Sequence, residues 1–192
     1  MGIRPSPTVL FFLIVFSLFS LSDLASAGKP HGGRGTRGPF PGTREDQKLS
    51  HLHFYFHDIV SGRNPSAVPI IVSNRTSRGF GTTFMIDDPL TEGPEPTSRL
   101  VGRAQGLYAL ASQHDVGLLM VINFAFVSGK YNGSTLSVMG RNAVMSDVRE
   151  MPVIGGTGLF RWARGYAQAH TVWFDIATGD AVVEYHVHVL HY

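Results

Sequence analysis

HLHFYFHDIV, residues 51–60, alternates from its first residue: Leu52, Phe54 and Phe56 fall on one face of an extended chain, and His51, His53 and His57 on the other. Side chains of a β-strand point alternately to opposite faces, whereas a helix repeats its apolar positions every three or four residues. The same period runs outward along the chain. Phe80, Thr82, Phe84 and Ile86 alternate with Gly81, Thr83, Met85 and Asp87, and Val183, Tyr185, Val187 and Val189 alternate with Glu184, His186 and His188. VGLLMVINFAFV, residues 116–127, is apolar nearly throughout and predicts a strand covered on both faces. Turn signals separate the runs: Ser61-Gly62-Arg63-Asn64-Pro65, Asp87-Asp88-Pro89, Asn132-Gly133, Gly155-Gly156-Thr157-Gly158 and Thr178-Gly179-Asp180. No amphipathic helix stands out. About eight short strands at this spacing predict an all-β antiparallel sandwich or barrel. Eight is a natural number for a closed barrel whose interior holds one small ligand.

The flanks read differently. Arg4, then VLFFLIVFSLFSL (9–21), then Ala25-Ser26-Ala27 have the order of a secretory signal peptide, assigned to residues 1–27. The apolar run is too short to span a bilayer comfortably, and no membrane partner is expected. Residues 28–48 form a Gly/Pro/Arg-rich linker, expected to be disordered, with five basic and two acidic residues. The net charge of +2 therefore belongs mainly to this tail, and the domain at 49–192 is close to neutral. Nucleic-acid binding is not expected, because the folded part lacks interleaved basic and aromatic residues. There is no cysteine, which excludes thiol catalysis and thiolate metal sites. Secretion would make Asn74-Arg75-Thr76 and Asn132-Gly133-Ser134 glycosylation acceptors at Asn74 and Asn132.

Asp58 shares the parity of Leu52, Phe54 and Phe56, which points a carboxylate inward among aromatic rings. Desolvation there would raise its pKa and suit it to acid–base work. The pattern equally allows a turn cap at the barrel rim. His51, His53 and His57, with His186 and His188, read as a solvated outer face. No inward carboxylate shares their parity, so no metal site is assigned. Gly155-Gly156-Thr157-Gly158 lacks the third glycine and following helix of a dinucleotide fingerprint, and reads as a tight turn or close backbone approach. Among Arg103, Arg149, Arg161 and Arg164, an arginine at a barrel mouth would bind a phenolate, while a surface ion pair is the commoner use.

HFYFHDI (53–59), VGRAQGLY (101–108), NGSTLSVMGRN (132–142) and VIGGTGLFRWARGYA (153–167) closely resemble the plant dirigent family, in the family's order and across residues 49–192. The resemblance implies an eight-stranded antiparallel barrel related to allene oxide cyclase. It also implies a homo-oligomer (a trimer, or failing that a dimer), secretion to the apoplast and no cofactor. Position by position, it implies Asp58 and Arg149 as acting groups, with Phe56, Tyr108, Asn142 and Thr157 around the substrate. Lignan-forming members carry two cysteines where Leu49 and His191 stand here, and an aspartate where Asn142 stands. An amide is no proton donor of carboxylic strength, so two acids become one.

The function implied is stereodirection: a separate laccase or peroxidase makes phenoxy radicals from a monolignol, and the protein holds them for coupling to lignan-type products. The departures also resemble the cysteine-lacking branch of the family, which includes dehydratases of the pterocarpan synthase type. These remove water from an isoflavanol through a quinone methide, and one acid suffices. A cell-wall binding or defence role for the tail and glycans, and a hydrophobic-ligand carrier, are further readings, because fold alone does not fix function.

Overall fold

The computed structural model describes residues 46–74 and 79–192. The leader assigned to 1–27 lies outside the described residues. So does the linker assigned to 28–48 apart from its last three positions, of which Lys48 already opens the first strand. The strands are β1 (Lys48–Asp58), β2 (Ala67–Ile71), β3 (Thr83–Thr91), β4 (Leu100–Leu110), β5 (Gly117–Phe126), β6 (Thr135–Ala143), β7 (Val148–Thr157), β8 (Arg164–Phe174) and β9 (Ala181–His191). From β3 to β9 each strand pairs antiparallel with the next, and β9 pairs with β1. β1 then meets β3 through Tyr55↔Thr91 and Phe56↔Leu90, which closes eight strands into a barrel. β2 is a short extra strand on the edge of β3. No helix among the described residues is long and apolar enough to cross a membrane.

The inward faces make one core. Phe54, Phe124 and Tyr185 lie at its centre, fully buried, with ring centroids 5.0–5.8 Å apart. One end of the barrel is plugged by Phe126, Tyr131, Phe160 and His191. Gly158 belongs to this plug. It sits at φ +62°, and a Cβ there would fall 2.6 Å from Ser134 Oγ, so both backbone and space call for glycine.

Three local expectations are corrected. Asp87-Asp88-Pro89 is not a turn but the middle of β3. The inward burial of Ile86 and Leu90 holds the chain extended through it. Pro89 is tolerated because it falls between the span that pairs with β2 and the span that pairs with β1, where the ladder needs no donor. β5 is covered on one face only: Met120, Ile122, Phe124 and Phe126 are buried, while Leu119 and Asn123 are exposed in the single chain. His57, grouped with the solvated histidines, is buried, and its Nε2 lies 2.7 Å from Thr91 Oγ1 where β3 closes over β1.

Candidate active site

Asp58 ends β1. At the same end of the barrel lie the starts of β3, β5, β7 and β9 and the ends of β4, β6 and β8. This mouth lies opposite the aromatic plug, and inward-facing polar side chains gather there. The turn-cap role left open for Asp58 falls instead to Asp180. Its Oδ1 accepts from the backbone N–H of Val60 at 2.8 Å and of Ser61 at 2.9 Å, and Ser61 Oγ donates to Oδ2 at 2.6 Å. Asp58 is left to face across the barrel, where the Tyr108 hydroxyl donates to its Oδ1 at 3.4 Å. Burial pushes the Asp58 carboxyl up to about 6, against the opposing pull of that hydrogen bond. Tyr108 stacks on Phe84, centroids 5.0 Å apart, and its hydroxyl is pushed up by burial and by the Asp58 carboxylate.

A second acid stands beside the first. Asp88 shares inward parity with Ile86 and Leu90 and is fully buried. Ser66 Oγ donates a very short hydrogen bond to its Oδ1, and Oδ2 has no partner among the described residues. Burial, then repulsion from Asp58, pushes the Asp88 carboxyl up to about 8. Asp88 is therefore a neutral acid at pH 7, with an O–H to offer in place of a second negative charge. The expectation that one inward acid remains is thus corrected: Asp88 is a second inward acid, on a different strand from Asp58. The signal was present, since two-residue steps from Phe84 reach Asp88 as they reach Asp58 from Leu52; the turn composition of Asp-Asp-Pro masked it.

Across the mouth, Arg149 at the start of β7 is buried and donates through Nε to Asn142 Oδ1 at 3.1 Å. It makes no ion pair among the described residues, and burial pushes its guanidinium down. A buried cation without a counter-ion favours an anionic or polarised oxygen placed against it. Because Asn142 is an amide, that role stays open. Phe56 lies two residues inward of Asp58 and packs on Tyr185 at 5.8 Å. The structure therefore brings Asp58, Phe56, Tyr108, Asn142 and Arg149 to one mouth and adds Asp88, Ser66 and Phe84. It does not bring Thr157 there. Thr157 ends β7, about 25 Å along the strand from Arg149, and its hydroxyl lies 2.8 Å from that of Thr135 beside the plug. Arg103 is tied to Asp87 on the outside at 2.6 Å, and Arg161 and Arg164 are exposed at the plugged end. Asn74 and Asn132 are exposed; Arg75 and Thr76 of the first sequon lie outside the described residues.

Tyr108→Phe tests the geometry without any substrate. Loss of a hydrogen bond to the charged form should raise the Asp58 pKa above about 6, by about one unit. Carboxyl-carbon NMR titration measures it, and an unchanged or lowered value would contradict the contact.

The family profile described as Dirigent-like protein matches residues 49–190. Dirigent protein 21 of Arabidopsis thaliana is 50% identical over 187 residues, covering 95% of this chain and 98% of the relative. Pterocarpan synthase 1 of Glycine max is 55% identical over 155 residues, covering 79% and 83%. The solved structure of the pterocarpan synthase dirigent protein GePTS1 superposes with a TM-score of 0.73 at 53% identity, over 76% of this chain and 92% of that one.

Proposed function

This chain belongs to the dirigent family, and on that premise we propose that it is a redox-neutral dehydratase and cyclase acting on a phenolic alcohol of the isoflavanol type. The observation that carries the reading is Asp58, a carboxyl at the barrel mouth raised to about 6 with the neutral acid Asp88 beside it. Proton transfer at near-neutral pH needs such a group. The similarity to pterocarpan synthases supports the same choice.

The aromatic ring lies against Phe56, Phe84 and Tyr108. Asp58 gives its proton to the leaving hydroxyl; the C–O bond breaks and its electron pair departs with water. The phenolic oxygen pushes electrons into the ring, becomes the quinone-methide carbonyl and passes its proton to the emptied Asp58. A second hydroxyl of the substrate then adds to the methide carbon. Asp58 gives the methide oxygen its proton and recovers the one released by the attacking hydroxyl. Arg149 stabilises negative charge on oxygen during these steps. No electron is exchanged, and the product differs from the substrate by one water. The fixed walls of the mouth select one face for closure.

A second reading is favoured by the presence of two carboxyl groups: each could protonate one quinone-methide oxygen after two phenoxy radicals, made by a separate laccase or peroxidase, have coupled. The two readings part on the need for an oxidase. Mature protein is incubated with racemic isoflavanols and with coniferyl alcohol, each with and without laccase, and products are separated by chiral chromatography. Isoflavanol conversion without oxidase is expected. Enantiomeric excess only from coniferyl alcohol with laccase would replace the first reading with the second.

The remaining proposals rest on the sequence. A leader at 1–27 would direct the protein to the apoplast, and secretion would make Asn74 and Asn132 glycosylation acceptors. A homo-oligomer, which the family resemblance implies, would cover the apolar outer positions Leu119 of β5 and Met139 of β6.

A further inference from the structure

The outer face of β1 and β9 carries a ladder of imidazoles that the acid chemistry of the mouth does not use. Register pairs His51 with His188, His53 with His186 and Tyr55 with Glu184. Their strand neighbours Leu52, Phe54, Val183, Tyr185 and Val187 fill the core, so this ladder points outward. His53 Nε2 lies 2.7 Å from Glu184 Oε1, and His186 Nε2 lies 3.6 Å from the same oxygen. One ligand atom from each of the three falls within 4.8 Å of the others.

We propose that this face binds one divalent first-row transition ion of the imidazole-preferring kind, zinc or copper(II), through His53 Nε2, His186 Nε2 and the Glu184 carboxylate. Ligand bonds of about 2.0–2.2 Å in a tetrahedral arrangement separate the ligand atoms by about 3.3–3.6 Å. The distances of 2.7 and 3.6 Å lie close to that spacing, so binding needs side-chain adjustment and no movement of strands. The ion takes the place of the proton that His53 and Glu184 otherwise share. Two histidines and one carboxylate leave a position open to water. The donor set excludes calcium and magnesium, which need several more oxygen ligands.

The surroundings hold the ligand atoms close together and support them. The Tyr55 hydroxyl donates to Glu184 Oε1 at 3.1 Å, which fixes the carboxylate. His51 Nε2 lies 2.9 Å from His186 Nδ1; with Nδ1–H donating, the Nε2 lone pair of His186 is free to face the ion. The rings of His53 and His186 stack at 4.5 Å with their planes 16° apart, so binding turns one ring until both Nε2 lone pairs meet at the ion. All these groups ride on two paired strands, a more rigid support than a loop. By bridging β1 and β9, the ion should also stabilise the folded barrel by mass action.

The test uses untagged mature protein, with zinc titrated against a chromophoric chelator, cobalt(II) absorption as a reporter of geometry, and melting with and without zinc. One ion per chain is expected, with a zinc-dependent rise in melting temperature. His186→Asn and Glu184→Gln should each weaken uptake at least about tenfold and abolish the melting shift, and Tyr55→Phe should weaken it by up to about tenfold. Both ligand positions are on the solvent side, so the variants should keep the metal-free melting temperature and the conversion of substrate. Failure of the wild-type protein to take up zinc, or uptake retained by both ligand variants, would overturn the proposal.

Discussion

Asp58→Asn should lower isoflavanol turnover by about 10²–10⁴-fold, with a much smaller change in KM. Asparagine keeps the shape of the carboxyl and can still accept the Tyr108 hydroxyl, but it has no proton of useful acidity. The loss is therefore chemical. The wild-type pH profile carries the complementary prediction. In the proposed mechanism Asp58 acts in its protonated form, and burial raises its pKa from 3.8 to about 6. Turnover should hold in mild acid and fall as pH rises through about 6, approaching tenfold per pH unit beyond it. Asp58→Asn should lack that limb. A variant that turns over at the wild-type rate would remove Asp58 from the chemistry.

Asp88→Asn should make the protein more stable at neutral and alkaline pH, by about 2–5 kcal/mol. The sign follows from linkage. In the unfolded chain Asp88 ionises near 3.8; in the barrel it holds its proton to about 8. Between these values the folded state binds the extra proton, so wild-type stability is complete in acid and declines as pH rises from about 4 to about 8. The amide matches the neutral form: its oxygen accepts from Ser66, and its NH₂ takes the place of the O–H. The gain should vanish in acid, below about pH 4. Because the amide also replaces the O–H donor, turnover should suffer far less than in Asp58→Asn. Denaturant melts of both proteins across this pH range measure the effect; a variant less stable than wild type at pH 8 would show that Asp88 is ionised in the barrel.

The fold was largely legible. The alternation in residues 51–60 alone gives β1 and its core face, because period two leaves no other face for Leu52, Phe54 and Phe56, but it leaves Asp58 open between the interior and a turn cap, a role that falls to Asp180. Closure of the barrel was legible from strand count and from the resemblance, but not the small contact that makes it, two residue pairs between β1 and β3. Turn chemistry misled at Asp87-Asp88-Pro89, where core burial on either side outweighs local preference. The resemblance misled at Thr157: neighbours of Arg149 along a strand recede from it at about 3.3 Å per residue, so Thr157 lies at the opposite end of the barrel. What pairs across strands was invisible. Glu184, His53 and His186 meet only through the β1–β9 register, and Asp88 faces Asp58 only because β3 and β1 close the barrel.

In the function proposed here, the carboxyl at the mouth drives a redox-neutral loss of water. The most direct test is turnover of an isoflavanol carrying a heavy-oxygen label in the leaving hydroxyl, under anaerobic conditions with no oxidase present. One labelled water should be released per molecule of product, with an unlabelled ring-closed product of a single hand and no oxidant consumed. No product until an oxidant is supplied, or product that retains the label, would contradict this function.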